Sequence, residues 1–171
     1  MKTNQLKFSG AVLLLLVTIF SVTAAIVKVD FSGDWTLDTA KSNMGEGQRG
    51  GRGAAQKLKV TQAADGMLTI VRTSNGMNGE VTTTDKLTAD GKESASTGGM
   101  EGSTRKASLT WAGDKNTANI SAATVMNFNG QSFENSIKEV WTLSADGKTL
   151  TINSESTSQR GVTKLTLVYN K

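Results

Sequence analysis

Arg72, Asp85, Arg105, Asn135 and Glu139 are the side chains best placed to do chemistry, because each falls on the inward phase of an alternating apolar run. Two guanidiniums, two carboxylates and an amide are costly to bury unless they pair, reach water or meet a ligand. Their types allow three kinds of chemistry. Arg72 and Arg105 would hold an anionic head group through charge-assisted hydrogen bonds. Met126, Phe128 and Phe133 would then form the upper apolar wall, and Asn135 and Glu139 would complete the ligand-binding set. The second outcome is internal neutralisation, Arg72 with Asp85 for example. The third is a carboxylate pair, Asp85 with Glu139, for acid–base work. No sugar-binding aromatic platform or other catalytic motif accompanies that pair, so an enzyme is not expected.

What is missing narrows the choice further. The 171 residues include no histidine and no cysteine. Serine and cysteine nucleophile systems that need a histidine base are therefore excluded, and a zinc site is not expected. Neither a metal nor an organic cofactor is implied. Lys2 and Lys7 followed by the apolar run Ala11 to Phe20 and the small residues Val22-Thr23-Ala24-Ala25 read as a signal peptide over 1–25. The apolar run is short of the ~20 residues a membrane span needs, so no stable membrane insertion is expected once the leader is removed. Residues 26–171 then form one domain, exported to the periplasm or secreted. Without the two leader lysines, the 19 basic residues fall to 17 against 15 acidic ones, and this balance gives no footprint for nucleic acid. The stretch 43–53 has the composition of RGG-type RNA-binding segments, but outside the cytoplasm a flexible lid or simple disorder is the better reading.

The elements that must position these groups are β-hairpins. The chain has no proline, and Asp65-Gly66, Asp90-Gly91, Asn129-Gly130, Asp146-Gly147 and Arg160-Gly161 each separate runs rich in Thr, Val, Ile and Leu. Ten strands are predicted, at 33–38, 57–63, 67–74, 80–89, 92–98, 105–112, 117–128, 131–143, 149–157 and 162–170. Two-residue turns place Met126 opposite Phe133, Ala118 opposite Trp141, Trp141 opposite Ile152 and Trp111 opposite Ala118. Carried through Arg160-Gly161, the same counting sets Ile152 opposite Tyr169 and Ser154 opposite Leu167. Trp35, Trp111, Trp141 and Tyr169 then plug the end that has the short turns. The connections 39–56, 75–79 and 99–104 gather at the other end, where Met77, Gly98, Gly99 and Met100 border the mouth.

Phe31-Ser32-Gly33-Asp34-Trp35-Thr36-Leu37, with Lys41-Ser42 after it, resembles the opening of the small exported bacterial lipocalin-like (calycin) barrels. The resemblance implies an all-β, antiparallel up-and-down meander barrel of eight to ten strands. In it Gly-x-Trp marks the closed end and the first long loop lids the mouth. Such proteins also pack a basic side chain from the last strand over the Trp. No arginine ends the last strand here, and Lys171 is the residue in place to substitute. Ten strands would resemble the fatty-acid-binding branch, whose helical lid this sequence lacks. The implied function is a monomeric carrier for a small hydrophobic or amphipathic ligand. The alternative is a non-enzymatic module of the cell envelope whose barrel is filled by its own side chains. N-terminal sequencing of exported protein should find Ala25 or Ile26 first, and a full-length chain in the membrane fraction would instead mark the leader as an anchor.

Overall fold

The computed structural model describes residues 29–45, 54–76 and 79–171, apart from Asn129. The expected leader, most of the 43–53 stretch, Met77 and the side chain of Phe128 lie outside the described residues. Among those described there is no helix. Eleven strands follow one another: β1 (Gly33–Leu37), β2 (Lys57–Gln62), β3 (Leu68–Gly76), β4 (Gly79–Leu87), β5 (Ser94–Ala95), β6 (Thr97–Gly98), β7 (Ser103–Trp111), β8 (Thr117–Phe128), β9 (Gln131–Leu143), β10 (Thr149–Ser158) and β11 (Gly161–Asn170). They form one antiparallel sheet in the order β5-β7-β8-β9-β10-β11-β1-β2-β3-β4-β6. Its two edges, β5 and β6, are separated in the chain by Ser96 alone, so the sheet curls into a nearly closed barrel.

The strand count exceeds the expected eight to ten because the predicted strand 92–98 changes partner halfway. Ser94 and Ala95 pair with Ala107 and Lys106 of β7, whereas Thr97 and Gly98 pair with Thr84 and Thr83 of β4. Gly98 makes the approach to β4 possible. Its φ is +78°, and a Cβ there would collide with the Thr82 carbonyl oxygen.

Most of the predicted register is present. Met126 pairs with Phe133, Ala118 with Trp141 and with Trp111, and Trp141 with Ile152. The last hairpin differs by two residues. Ser158 pairs with Gly161, so the turn is Gln159-Arg160, and Ile152 meets Leu167 while Ser154 meets Leu165. A slip of two leaves each side chain on its face, because the strand repeat is two, but it shifts depth along the barrel.

The closed end is filled by aromatic rings that satisfy their own polar atoms. Trp35 donates its indole N–H to the Phe31 carbonyl at 3.0 Å. The Phe31 ring stacks on Trp111 and meets Trp141 edge-on, both at 5.9 Å between centroids. Gln62 ties down this N-terminal segment by accepting from the Phe31 N–H at 3.1 Å and donating to the Val29 carbonyl at 2.9 Å. Lys171 lays its ammonium over Trp35, 4.8 Å from the ring centroid. Gly33 leaves room for that side chain, since a Cβ there would strike the Lys171 Cε. Around and above the rings, Leu58, Leu68, Ile70, Leu109, Ile120, Leu150 and Ile152 are fully buried.

Ser42 fixes the start of the β1–β2 connection. Its hydroxyl donates to the Asp38 carbonyl at 2.7 Å and accepts from the Val168 N–H at 2.9 Å, and Asn43 bridges Thr166. The connection is thereby drawn against β11 at the open half of the barrel.

Replacing Trp35 with Ala should cost about 3–5 kcal/mol through lost burial and a cavity. Lys171→Met should cost only about 0.5–1 kcal/mol, the scale of an exposed cation–π contact. Urea denaturation midpoints measure both, and equal losses would mean that the Trp depends on its lysine cover rather than on burial.

Candidate functional site

Above the aromatic plug the inward positions turn from apolar to charged. Arg72 on β3, Asp85 on β4, Arg105 on β7 and Glu139 on β9 come from four strands and meet inside the barrel. Arg72 is the bridge. Its Nε donates to Asp85 Oδ2 at 3.3 Å, and its Nη1 and Nη2 donate to Glu139 Oε1 and Oε2 at 3.4 and 2.8 Å. Both outer nitrogens thus face one carboxylate as a fork. Arg105 donates from Nε to Asp85 Oδ1 at 3.1 Å and from Nη2 to Oδ2 at 3.2 Å. The Ser96 hydroxyl also donates to Asp85 Oδ1. Trp141 completes the floor, donating its indole N–H to Glu139 Oε2 at 2.9 Å while the Arg72 guanidinium lies 5.4 Å from its ring centroid.

Burial sets the energetics of this cluster. Asp85 has no exposed surface and Glu139 is 8% exposed, whereas the side chains of Arg72 and Arg105 are 13% and 14% exposed. Burial pushes the Asp85 carboxyl up, but the Arg105 hydrogen bonds, the two guanidinium charges and Ser96 outweigh it and hold the group below its usual range. For Arg72, burial favours the neutral form, and the charges of Glu139 and Asp85 more than reverse this. The Tyr169 phenol is pushed up, chiefly by burial. It donates to the Ala55 carbonyl at 2.9 Å, which joins β11 to the segment leading into β2. No fully buried polar side-chain atom among the described residues lacks a partner.

A cavity of ≈ 420 Å³ opens directly over this floor. Four of the seven expected ligand-binding residues line it: Arg72, Arg105, Asn135 and Glu139. Gly98, Gly99 and Met100, expected at the mouth, line it too. Met126 and Phe133 face each other across β8 and β9, half-buried and nearer the open end, and are not part of the lining. Phe128 pairs with Gln131 at the tip of that hairpin, and its side chain lies outside the described residues. A more open hollow of ≈ 610 Å³ runs along β8–β10 by Ala123, Glu134 and Ser136, and of the seven only Asn135 borders it.

Sequence reasoning missed five contributors. Ser96 sits at the partner change inside a predicted continuous strand, where nothing in the residue pattern marks it. Leu165 and Leu167 line the cavity from β11, where the two-residue slip sets them opposite Ser154 and Ile152. Ala54 and Ala55 line it from a segment read only as loop. The resolved pairing is also fuller than the single Arg72–Asp85 bridge that residue types suggest, since all four charges are engaged.

Arg72→Met would strand two buried carboxylates against one guanidinium and should cost about 3–5 kcal/mol in chemical denaturation. Because the folded-state carboxyl of Asp85 titrates below its ordinary value of 3.8, its ionised form stabilises the fold above that pH. That contribution is lost as the pH falls from there through the lower folded-state value. Asp85→Asn should therefore lower stability at pH 7 and flatten the acid limb of the stability profile, and an unchanged acid limb would show that another carboxylate drives acid unfolding. Comparison with known proteins adds no identity to this geometry: no family model, no curated protein and no solved structure matches the chain.

Proposed function

We propose that the chain is an exported, non-catalytic, monomeric carrier that binds a small amphipathic molecule in the upper half of its barrel. The observation that carries this reading is the ≈ 420 Å³ cavity above a charged floor, a size within the range of small-molecule sites. Ile137, Leu165, Leu167 and Ala54 give its wall apolar stretches, while Arg105, Asn135 and several hydroxyls give it polar ones. Apolar body and polar handle are what an amphipathic ligand presents.

The lipocalin-like reading is supported by two features. Gly33 and Trp35 lie under the Lys171 side chain, and the described start of the connection after β1 lies against β11. A carrier rather than an enzyme is supported by the state of the carboxylates. Asp85 and Glu139 are both bound by arginine, so neither is free to move a proton. Export rests on the leader motif in the sequence.

One observation favours the second reading, an envelope module with a self-filled barrel: the four charges satisfy one another without a ligand. The two readings part on binding. N-phenyl-1-naphthylamine, a neutral fluorescent probe, should bind saturably at one site per chain. Ile137→Trp, which adds bulk on the cavity wall, should weaken that binding at least tenfold while leaving the fold intact by circular dichroism. Absence of saturable binding, or equal binding by Ile137→Trp, would favour the self-filled module.

A further inference from the structure

The two arginines of the floor are not equivalent. All three guanidinium nitrogens of Arg72 are bonded to carboxylates. Arg105 uses only Nε and Nη2, both on Asp85, and its Nη1 has no protein partner among the described residues. Arg105 also lines the cavity. Arg105 therefore keeps a whole NH2 group uncommitted, whereas every nitrogen of Arg72 already holds a carboxylate.

The charge count decides what that donor can receive. Two guanidiniums stand against two carboxylates, so the floor is neutral as it is. An anionic head group at Arg105 would leave a net negative cluster beside a fully buried Asp85, and an uncompensated charge there is strongly unfavourable. A hydroxyl can accept from Nη1 without altering the balance.

The wall around the floor is matched to such a group. Ser74 on β3, Thr83 on β4, Thr124 on β8, Asn135 on β9, Ser154 on β10 and Thr163 on β11 all line the cavity. Six strands thus each contribute a short side chain able to donate and accept. Side chains that both donate and accept, spread over six strands, suit a molecule with several hydroxyls, whereas an alkyl chain would satisfy none of them.

We infer that the cavity takes an uncharged, hydroxyl-rich head group, with Arg105 as its contact and Arg72 as a positioning residue that holds the carboxylates in place. This inference rests on the carrier reading above and names the chemistry of its ligand.

Octyl β-glucoside and octanoate carry nearly the same tail on a neutral polyhydroxylated and an anionic head, so calorimetric titration below their micellar concentrations isolates the head group. The glucoside should bind at least tenfold more tightly than octanoate. Arg105→Lys keeps the charge and the pairing to Asp85 but removes the free Nη1, and it should weaken the glucoside about tenfold, the scale of one charge-assisted hydrogen bond, with little effect on octanoate. The double variant Arg105→Gln, Asp85→Asn keeps the cluster neutral and should do the same. Octanoate binding as tightly as the glucoside, or glucoside binding unchanged in either variant that retains the wild-type circular dichroism spectrum, would overturn the inference. If N-phenyl-1-naphthylamine binds but neither octyl probe does, the inference fails and the carrier stands. If none of the three binds, both fall.

Discussion

The fully buried carboxylate of Asp85 is the constraint around which the interior is arranged. A lone ionised aspartate in a barrel core would be strongly unfavourable, and breaking one partner out of a buried pair is among the larger single losses a domain can suffer. Here the group accepts from Arg105, Arg72 and Ser96, and Arg72 passes the demand on to Glu139 and Trp141. The chain of contacts crosses the lumen from β4 to β9, between strands that share no ladder. Charge pairing therefore fixes the distance between opposite walls, a task for which neighbouring backbone hydrogen bonds are of no use.

The same carboxylate stands where the barrel is weakest. Between β4 and β7 no continuous ladder closes the sheet, because the intervening chain bonds first to one and then to the other. Asp85 belongs to β4, Arg105 to β7, and Ser96 is the residue between the two halves. Their contacts join the edges at the level where the backbone pairing changes hands. Ser94 adds a second tie below, donating to the Lys86 carbonyl at 2.5 Å. A nearly closed barrel with a seam of this kind depends on side chains for its last connection, and so its closure is coupled to the polar floor of its cavity.

Parity was readable from residue types alone, and depth was not. Alternation with period two assigns each residue to the inside or outside, and this survives a slip of two, as the β10–β11 hairpin demonstrates. The inward placement of Arg72, Asp85, Arg105 and Glu139 was therefore legible. Which of them touch is a matter of height along the axis, set by turns and by barrel shear, and Arg72 and Glu139 lie 67 residues apart in the chain. Phe31 escaped notice as part of the plug for a different reason. It precedes the first strand, so no alternation marks its face, and it is held by Gln62 rather than by a ladder. The split at Ser96 follows from the competing edges of β4 and β7, a tertiary choice that the small residues Ser94-Ala95-Ser96-Thr97-Gly98 leave open.

The division of the lumen into a dry half and a polar half has an energetic logic. Tryptophan, phenylalanine and aliphatic burial at the closed end supply hydrophobic stabilisation on the scale of a few kcal/mol per large side chain. Ion pairs of similar volume would do no better there, since the desolvation of buried charges offsets most of their attraction. A charged floor is thus weak as a source of stability, and its presence calls for another account. What it does supply is a set of donors and acceptors at the base of a cavity, held in place by one another. For a carrier of the kind proposed, such preorganisation would reduce the ordering cost of binding, and it can be tolerated only because the aromatic half beneath carries the stability of the fold.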